Sequence, residues 1–165
     1  MNTTDPARRP GQRGLVALVG AAAAAALLAF TPAREGRVLH TYRDLGGVLT
    51  YCDGATESAA WGRSYTPTEC DARLDRDLER HAAGIAACLP LARLSDGQKV
   101  AFVDAAYNIG VAAFCGSSMA RLARAGDMAG ACDALLLWNK VGGREIAGLT
   151  RRRQAERVLC RKGLP

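Results

Sequence analysis

The chain has 165 residues, enough for one domain with an appendage, and only 5% of them are aromatic, while alanine and leucine abound. That composition argues against a sandwich of strands and for packed helices with a minor β component, an α+β protein that is mainly α. The formal net charge of +6 describes a basic, soluble surface and allows for an anionic polymer or membrane as a partner.

The N-terminal stretch MNTTDPARRPGQR carries Arg8, Arg9 and Arg13 and precedes the apolar run GLVALVGAAAAAALLAF at residues 14–30. Basic residues ahead of an apolar helix leave the N-terminus in the cytoplasm and send everything after it across the membrane. At 1.5 Å per residue the 17 positions span roughly 25 Å, short of a hydrocarbon core of about 30 Å. Eight are alanine and two are glycine, so insertion is marginal while helix propensity in water is high. Two readings stand side by side: a signal peptide cleaved after Ala33, because Thr31, Pro32 and Ala33 resemble a cleavage site, and an uncleaved anchor weak enough to leave the bilayer. The expected organisation is 1–33 as cytoplasmic N-terminus and weak anchor and 34–165 as the folded domain.

Residues 37–51 hold β-branched and aromatic side chains around Gly46 and Gly47, which predicts a short hairpin. Thr66, Pro67 and Glu69 form a capping box that opens a helix running to about Cys88, and Ser95 with Gln98 opens another towards Asn108 and Gly110. Ser117 and Asp127 can cap shorter helices over 118–125 and 128–138. Gly142 and Gly143 mark a loop, and a last helix covers about 149–162. The expected molecule is a small hairpin lobe in front of a helical lobe.

Six cysteines, Cys52, Cys70, Cys88, Cys115, Cys132 and Cys160, all follow the apolar run. An even count beyond an export segment points to disulfides in an oxidising compartment, and the absence of any C-x-x-C pair argues against zinc. Six cysteines allow 15 pairings, among which spacing does not choose. Nucleophilic hydrolysis through serine or cysteine lacks support, because the histidines His40 and His81 neighbour no G-x-S-x-G elbow. No phosphate-binding glycine loop is present. Carboxylates remain: glycoside hydrolysis needs one acid to protonate the leaving oxygen and a second group to stabilise charge or orient water. Taken alone, such paired acids are more often solvated surface.

Glu35 followed by Gly36, Asp44 after eight intervening residues and Thr50 after five more resemble the Glu, Asp and Thr triad of the phage-type lysozymes, the glycoside hydrolase family 24 endolysins. The similarity continues through YNIG at 107–110, GDMAGACDALLLWNKVGG at 126–143 and GLTRRRQAERVLC at 148–160, and so covers nearly all of 35–160. The alanine-rich leader resembles the signal-anchor-release segments of one branch of these endolysins. The resemblance implies a lysozyme-like fold and hydrolysis of the β-1,4 bond between N-acetylmuramic acid and N-acetylglucosamine in peptidoglycan, for host lysis. It implies no metal or cofactor, with peptidoglycan and the inner membrane, through residues 14–30, as partners. A monomer without nucleic acid is expected, exported, membrane-tethered and then periplasmic.

Carried over residue by residue, Glu35 is the general acid, Asp44 the carboxylate that stabilises positive charge and places water, and Thr50 the hydroxyl that holds that water, with inversion at the anomeric carbon. Asn108 is a candidate substrate contact, with backbone capping as the alternative. The family blocks favour Cys88 with Cys115, Cys132 with Cys160 and Cys52 with Cys70. The chain departs from the family at Ala55, where relatives carry histidine. Two of Arg151, Arg152 and Arg153 are expected on a solvated helix face, and Trp138 and Tyr107 in the core. The rival reading is a non-enzymatic, cationic, disulfide-stapled protein that binds cell wall or membrane.

Overall fold

The computed structural model describes residues 12–44 and 46–164, apart from the side chains of Gln12, Arg13 and Glu35. The basic stretch containing Arg8 and Arg9 lies outside the described residues. The architecture is mainly helical with small antiparallel hairpins, the α+β lysozyme-like arrangement expected.

The apolar run folds as two helices, α1 (Gln12–Val19) and α2 (Ala21–Phe30). Gly20 separates them with φ +88°, a conformation that L side chains rarely adopt. As a result, among the described residues no helix is long and apolar enough to cross a membrane. Both helices are packed into the domain: α1 lies on α4 (Pro67–Ala86), and α2 on α5 (Asp96–Ile109). Leu15, Val19 and Leu27 are fully buried, each worth roughly 1.5–3 kcal/mol relative to exposure. The segment thus contributes to the same apolar core as α4 and α5. A Cβ on Gly14 would meet the Glu79 carboxylate of α4, the end of a flexible side chain that can move aside.

Thr31 ends α2 and begins the one-turn helix α3 (Pro32–Glu35), whose first position is proline, where a missing N–H costs nothing. Strands β1 (Val38–Arg43) and β2 (Leu49–Cys52) pair antiparallel, with Tyr42 opposite Thr50 and Arg43 opposite Leu49. The chain after β2 folds back along β1, where Thr41 N–H donates to Arg63 O and Tyr65 N–H to Leu39 O. Tyr51, Cys52, Ala55, Tyr65 and Cys70 form the small core of this lobe.

The capping box of Thr66 and Glu69 starts α4 as expected, and that of Ser95 and Gln98 starts α5. Helix α5 is buried almost all round, from Val100 to Ala106, because α2, α4 and α9 (Ala147–Arg161) surround it. Helices α6 (Val111–Cys115), α7 (Ser118–Arg124) and α8 (Met128–Ala134) complete the lobe. Beyond α8 the expected helix tightens into a 3-10 turn at Leu135–Leu137. The expected loop at Gly142 and Gly143 is the tip of a hairpin, β3 (Lys140–Val141) with β4 (Arg144–Glu145). Both glycines have positive φ, as a two-residue hairpin turn matching strand twist demands.

Disulfides join Cys52 of β2 to Cys70 of α4, Cys88 beyond α4 to Cys115 of α6, and Cys132 of α8 to Cys160 of α9. Each ties two elements of different chain regions, so all three staple tertiary contacts.

Candidate active site

Glu35 is the last residue of α3, and Gly36 follows it in the left-handed conformation that ends the helix. The carboxylate of Glu35 lies outside the described side chains; what the structure gives is the backbone that carries it. That backbone is anchored at both ends. Upstream, the buried Thr31 hydroxyl donates to Asp104 Oδ1 of α5 at 2.7 Å. Downstream, Arg37 donates from Nε and Nη2 to the Asp53 carboxylate at 2.8–3.2 Å and from Nη1 to Asp71 of α4 at 2.7 Å. The Asp53 hydrogen bond and charge hold the Arg37 guanidinium above its ordinary pKa. Tyr107 of α5 donates its hydroxyl to Asp53 O at 2.7 Å, which fastens the same segment to the helical lobe.

Asp44 sits at the end of β1 and organises the hairpin turn. Its Oδ1 accepts the Gly46 N–H at 2.9 Å and the Val48 N–H at 2.8 Å, an Asx-type turn that keeps the exposed carboxylate at a fixed place. Among the described residues its Oδ2 has no hydrogen-bond partner. Thr50 of β2 is buried, 4% exposed, and its hydroxyl donates to Val48 O at 3.0 Å. The Val48 residue thus links the two: its N–H serves Asp44 and its carbonyl serves Thr50. With its proton committed to a carbonyl, the Thr50 oxygen is left as an acceptor for a water hydrogen.

A cavity of about 520 Å³ adjoins the end of α3, lined by Ala33 and Arg34 together with Asn108 and, from α9, Gly148, Leu149, Arg151 and Arg152. A second, of about 340 Å³, lies between the hairpin lobe and α4, lined by the stretch Asp53 to Glu57 with Arg73, Asp77, His81, Tyr107 and Asn108. Asn108 lines both, so it stands where the lobes meet beside the helix bearing Glu35; its side-chain oxygen also accepts from Arg153 Nη2. Asp44 and Thr50 do not line these two cavities. Among the described residues no cluster of three or more His, Cys, Asp or Glu side chains converges as a metal site.

The arginines of α9 correct the solvated-face expectation. Arg152 is 5% exposed and Arg153 is fully buried; only Arg151 is exposed. Arg152 donates to both oxygens of Asp104 at 3.1 Å and to Glu156 Oε1 at 3.3 Å, and Arg153 donates to Glu156 at 2.5–2.7 Å. Burial, with the Asp104 charge beside it, pushes the Glu156 carboxyl well above its usual range, against the pull of Arg153 and Arg152. Successive helical residues are about 100° apart, so two of three neighbours can face inward, and buried acids make it tolerable. A signal existed in the sequence: Asp104 is a lone acid in the apolar stretch VAFVDAAY, and Glu156 follows Arg153 and Arg152 by three and four residues. Ala55, the departure from the family pattern, is buried and bridges to Tyr51 through backbone, while the Arg37 pairs with Asp53 and Asp71 tie this region to α4.

A hairpin lobe closed onto a helical lobe, with cavities where they meet, is the lysozyme-like fold, and the relatives of the chain make it a glycoside hydrolase of that kind. Residues 32–156 match the model of the family described as Phage lysozyme. The chain is 35% identical over 127 residues, 76% of either chain, to the SAR-endolysin of Enterobacteria phage P21. Its fold matches the active form of P1 phage endolysin Lyz with a TM-score of 0.78 at 22% identity, covering 95% of this chain and 96% of that one. The secreted inactive form of the same P1 protein matches with a TM-score of 0.52 at 18% identity, covering 93% and 96%. The chain belongs to the phage lysozyme family.

Proposed function

We propose that this muramidase cleaves the β-1,4 bond between N-acetylmuramic acid and N-acetylglucosamine, with Glu35 as general acid, Asp44 and Thr50 as the pair that holds and activates water, and inversion at the anomeric carbon. The observation that carries this reading is the Asp44, Val48 and Thr50 arrangement. One carboxylate oxygen is spent on the turn and the other has no partner among the described residues, while the threonine hydroxyl is oriented as an acceptor. A water donating one hydrogen to Thr50 and the other to Asp44 presents its lone pair to the sugar, and Asp44 takes the proton as the bond forms. Glu35, on the other side of the scissile bond, delivers its proton to the leaving oxygen. Inverting geometry requires carboxyl groups about 6.5–9.5 Å apart, to leave room for that water. Asn108 is read as a glycan contact, supported by its lining both cavities.

The protein reaches this state by export across the inner membrane, tethering through residues 14–30, and release of that segment into the position it occupies as α1 and α2. Support comes from the burial of Leu15, Val19 and Leu27 in the domain and from the better fold match to an active than to an inactive endolysin. While the run is in lipid, α2 and α3 cannot sit on α5, so the tethered enzyme is inactive.

The test is turbidity loss of outer-membrane-permeabilised cells by the purified chain and its Glu35→Gln form. The substitution keeps shape and removes the transferable proton, and a fall of about 10² to 10⁴ with folding intact is expected. Equal clearing by both forms overturns the catalytic assignment. N-terminal sequencing of the released protein separates release from cleavage: a chain that begins at Arg34 replaces the release mechanism with signal-peptide processing.

A further inference from the structure

We propose that Asp104 and Thr31 form a positioning pair for the catalytic acid: the buried Asp104 carboxylate, holding the Thr31 hydroxyl and the Arg152 guanidinium, fixes the start of the helix that carries Glu35 to α5, beside the guanidinium from α9. The proposal rests on the assignment of Glu35 as the acid.

Three observations converge on Asp104. First, α3 is a single turn of four residues, too short to hold its own position, so the placement of Glu35 is set by what restrains the ends of the turn. Second, Thr31 occupies the N-cap of α3 but makes no side-chain cap; its hydroxyl instead donates to Asp104, 73 residues away, at 2.7 Å, with both groups fully buried. With helical backbone angles, φ −65° and ψ −49°, Thr31 cannot make the extended-backbone cap that would spend its hydroxyl on the helix's own N–H groups, so the hydroxyl is free to reach another element. Here the bond is spent on fixing the turn to α5.

Third, the same carboxylate receives Arg152 Nη2 on Oδ1 and Nε on Oδ2, each at 3.1 Å, and Arg152 lines the cavity that Ala33 and Arg34 also line. One buried group therefore sets both the helix of the acid and a cation facing the same cavity. In the tethered form Thr31 is drawn away with residues 14–30, and Asp104 loses this partner. Seating of α2 and alignment of Glu35 are then one event, completed when the Thr31 hydroxyl reaches Asp104.

The experiment uses the full chain, purified in its released form, with kcat and KM measured on isolated peptidoglycan across pH. Thr31→Val keeps the shape and removes the donor without changing charge. A fall in kcat of about ten- to a hundredfold is expected, with KM within about twofold of wild type, cooperative unfolding and unaltered helix content. Thr31→Ser restores the hydroxyl and should recover kcat to within about threefold. Wild-type kcat in Thr31→Val, a loss carried by KM alone, or a serine variant as slow as the valine one overturns the proposal. If Thr31→Val does not fold, Asp104→Asn carries the test, since its amide still accepts from Thr31 but no longer pairs with Arg152. A lowered kcat with a displaced acid limb of its pH profile is then expected, and an unchanged kcat and profile overturn the proposal. Glu35→Gln run in parallel keeps the two readings apart: activity in that variant sinks the acid assignment, whereas an inactive Glu35→Gln beside a fully active Thr31→Val sinks the positioning pair alone.

Discussion

At the scale of single residues, the costliest positions are the charges buried beneath the site. Arg153 is fully buried, donates to Glu156 at 2.7 Å and gives its Nε to Trp138 O at 3.1 Å. Replacing it with methionine keeps most of the apolar volume and leaves Glu156 short of a partner, and breaking a buried pair from one side costs about 3–5 kcal/mol. Urea unfolding at neutral pH measures this; a loss below about 1 kcal/mol would mean that Glu156 simply takes up a proton, the direction in which burial already pushes it. Asp133 behaves oppositely. Hydrogen bonds from Arg161 and Arg157 hold its half-exposed carboxyl below the usual range. A carboxyl lowered on folding contributes stability above its unfolded pKa, about 3.9, and loses it as pH falls through the folded value. Asp133→Asn should therefore melt at a lower temperature than wild type at pH 7, and the difference should shrink below about pH 4 and in high salt. A difference that persists at pH 2 would contradict the assignment of that stability to the arginines.

At the scale of elements, Gly20 separates α1 from α2, and in the proposed release it is where the docked pair would differ from a membrane-spanning helix. The docked form requires φ +88° there, whereas a continuous helix through residues 14–30 does not. Gly20→Ala should thus weaken the docked form and favour the continuous one, with later onset of lysis in cells and lower activity of the released protein. The alanines separate the two states further. Ala21, Ala25 and Ala29 are exposed in the docked form, whereas Ala23 is fully buried. Leucines at the three exposed sites should strengthen membrane insertion without disturbing packing, so lysis is delayed while the purified enzyme keeps its activity. Leucine at Ala23 overpacks the core as well, at a typical cost of about 1–3 kcal/mol. Lysis by the triple leucine variant on the wild-type schedule would show that release does not limit activation.

For the whole molecule, the three disulfides distribute stability unevenly. Cys52 and Cys70 lock the small hairpin-lobe core to α4, while the other two bridges staple a helical lobe that already has an extensive core. Each bridge typically contributes about 2–4 kcal/mol, so Cys52→Ser with Cys70→Ser should lower the temperature of inactivation. Tyr51 and Tyr65, stacked at 4.3 Å between ring centroids in that lobe, should gain exchange with solvent before the residues of α5 do. Hydrogen exchange followed by peptide mapping reads this order; simultaneous loss of protection in both lobes would mean that they unfold as one unit.

Much of this molecule was legible in the sequence, because local physics settles it. The capping boxes at Thr66 and Ser95 start helices wherever the chain goes and glycine pairs at 46–47 and 142–143 force turns, while Glu35, Asp44 and Thr50 with the three later blocks carry the resemblance to a family. The sequence also determined that Asp44 and Thr50 share a hairpin, since six residues around a glycine turn leave few alternatives. What local physics does not fix is where distant parts meet. Only the tertiary structure showed an apolar run with the composition of a weak anchor as two packed helices, because α4 and α5 supply the surface on which Leu15, Val19 and Leu27 are buried. It carries the three cysteine pairings that the family blocks implied, among 15 that spacing alone leaves open, and it drew Arg152 and Arg153 inward to Asp104 and Glu156. These outcomes depend on groups up to 73 residues apart finding each other, as Thr31 and Asp104 do, and helical periodicity or residue spacing carries no information at that range.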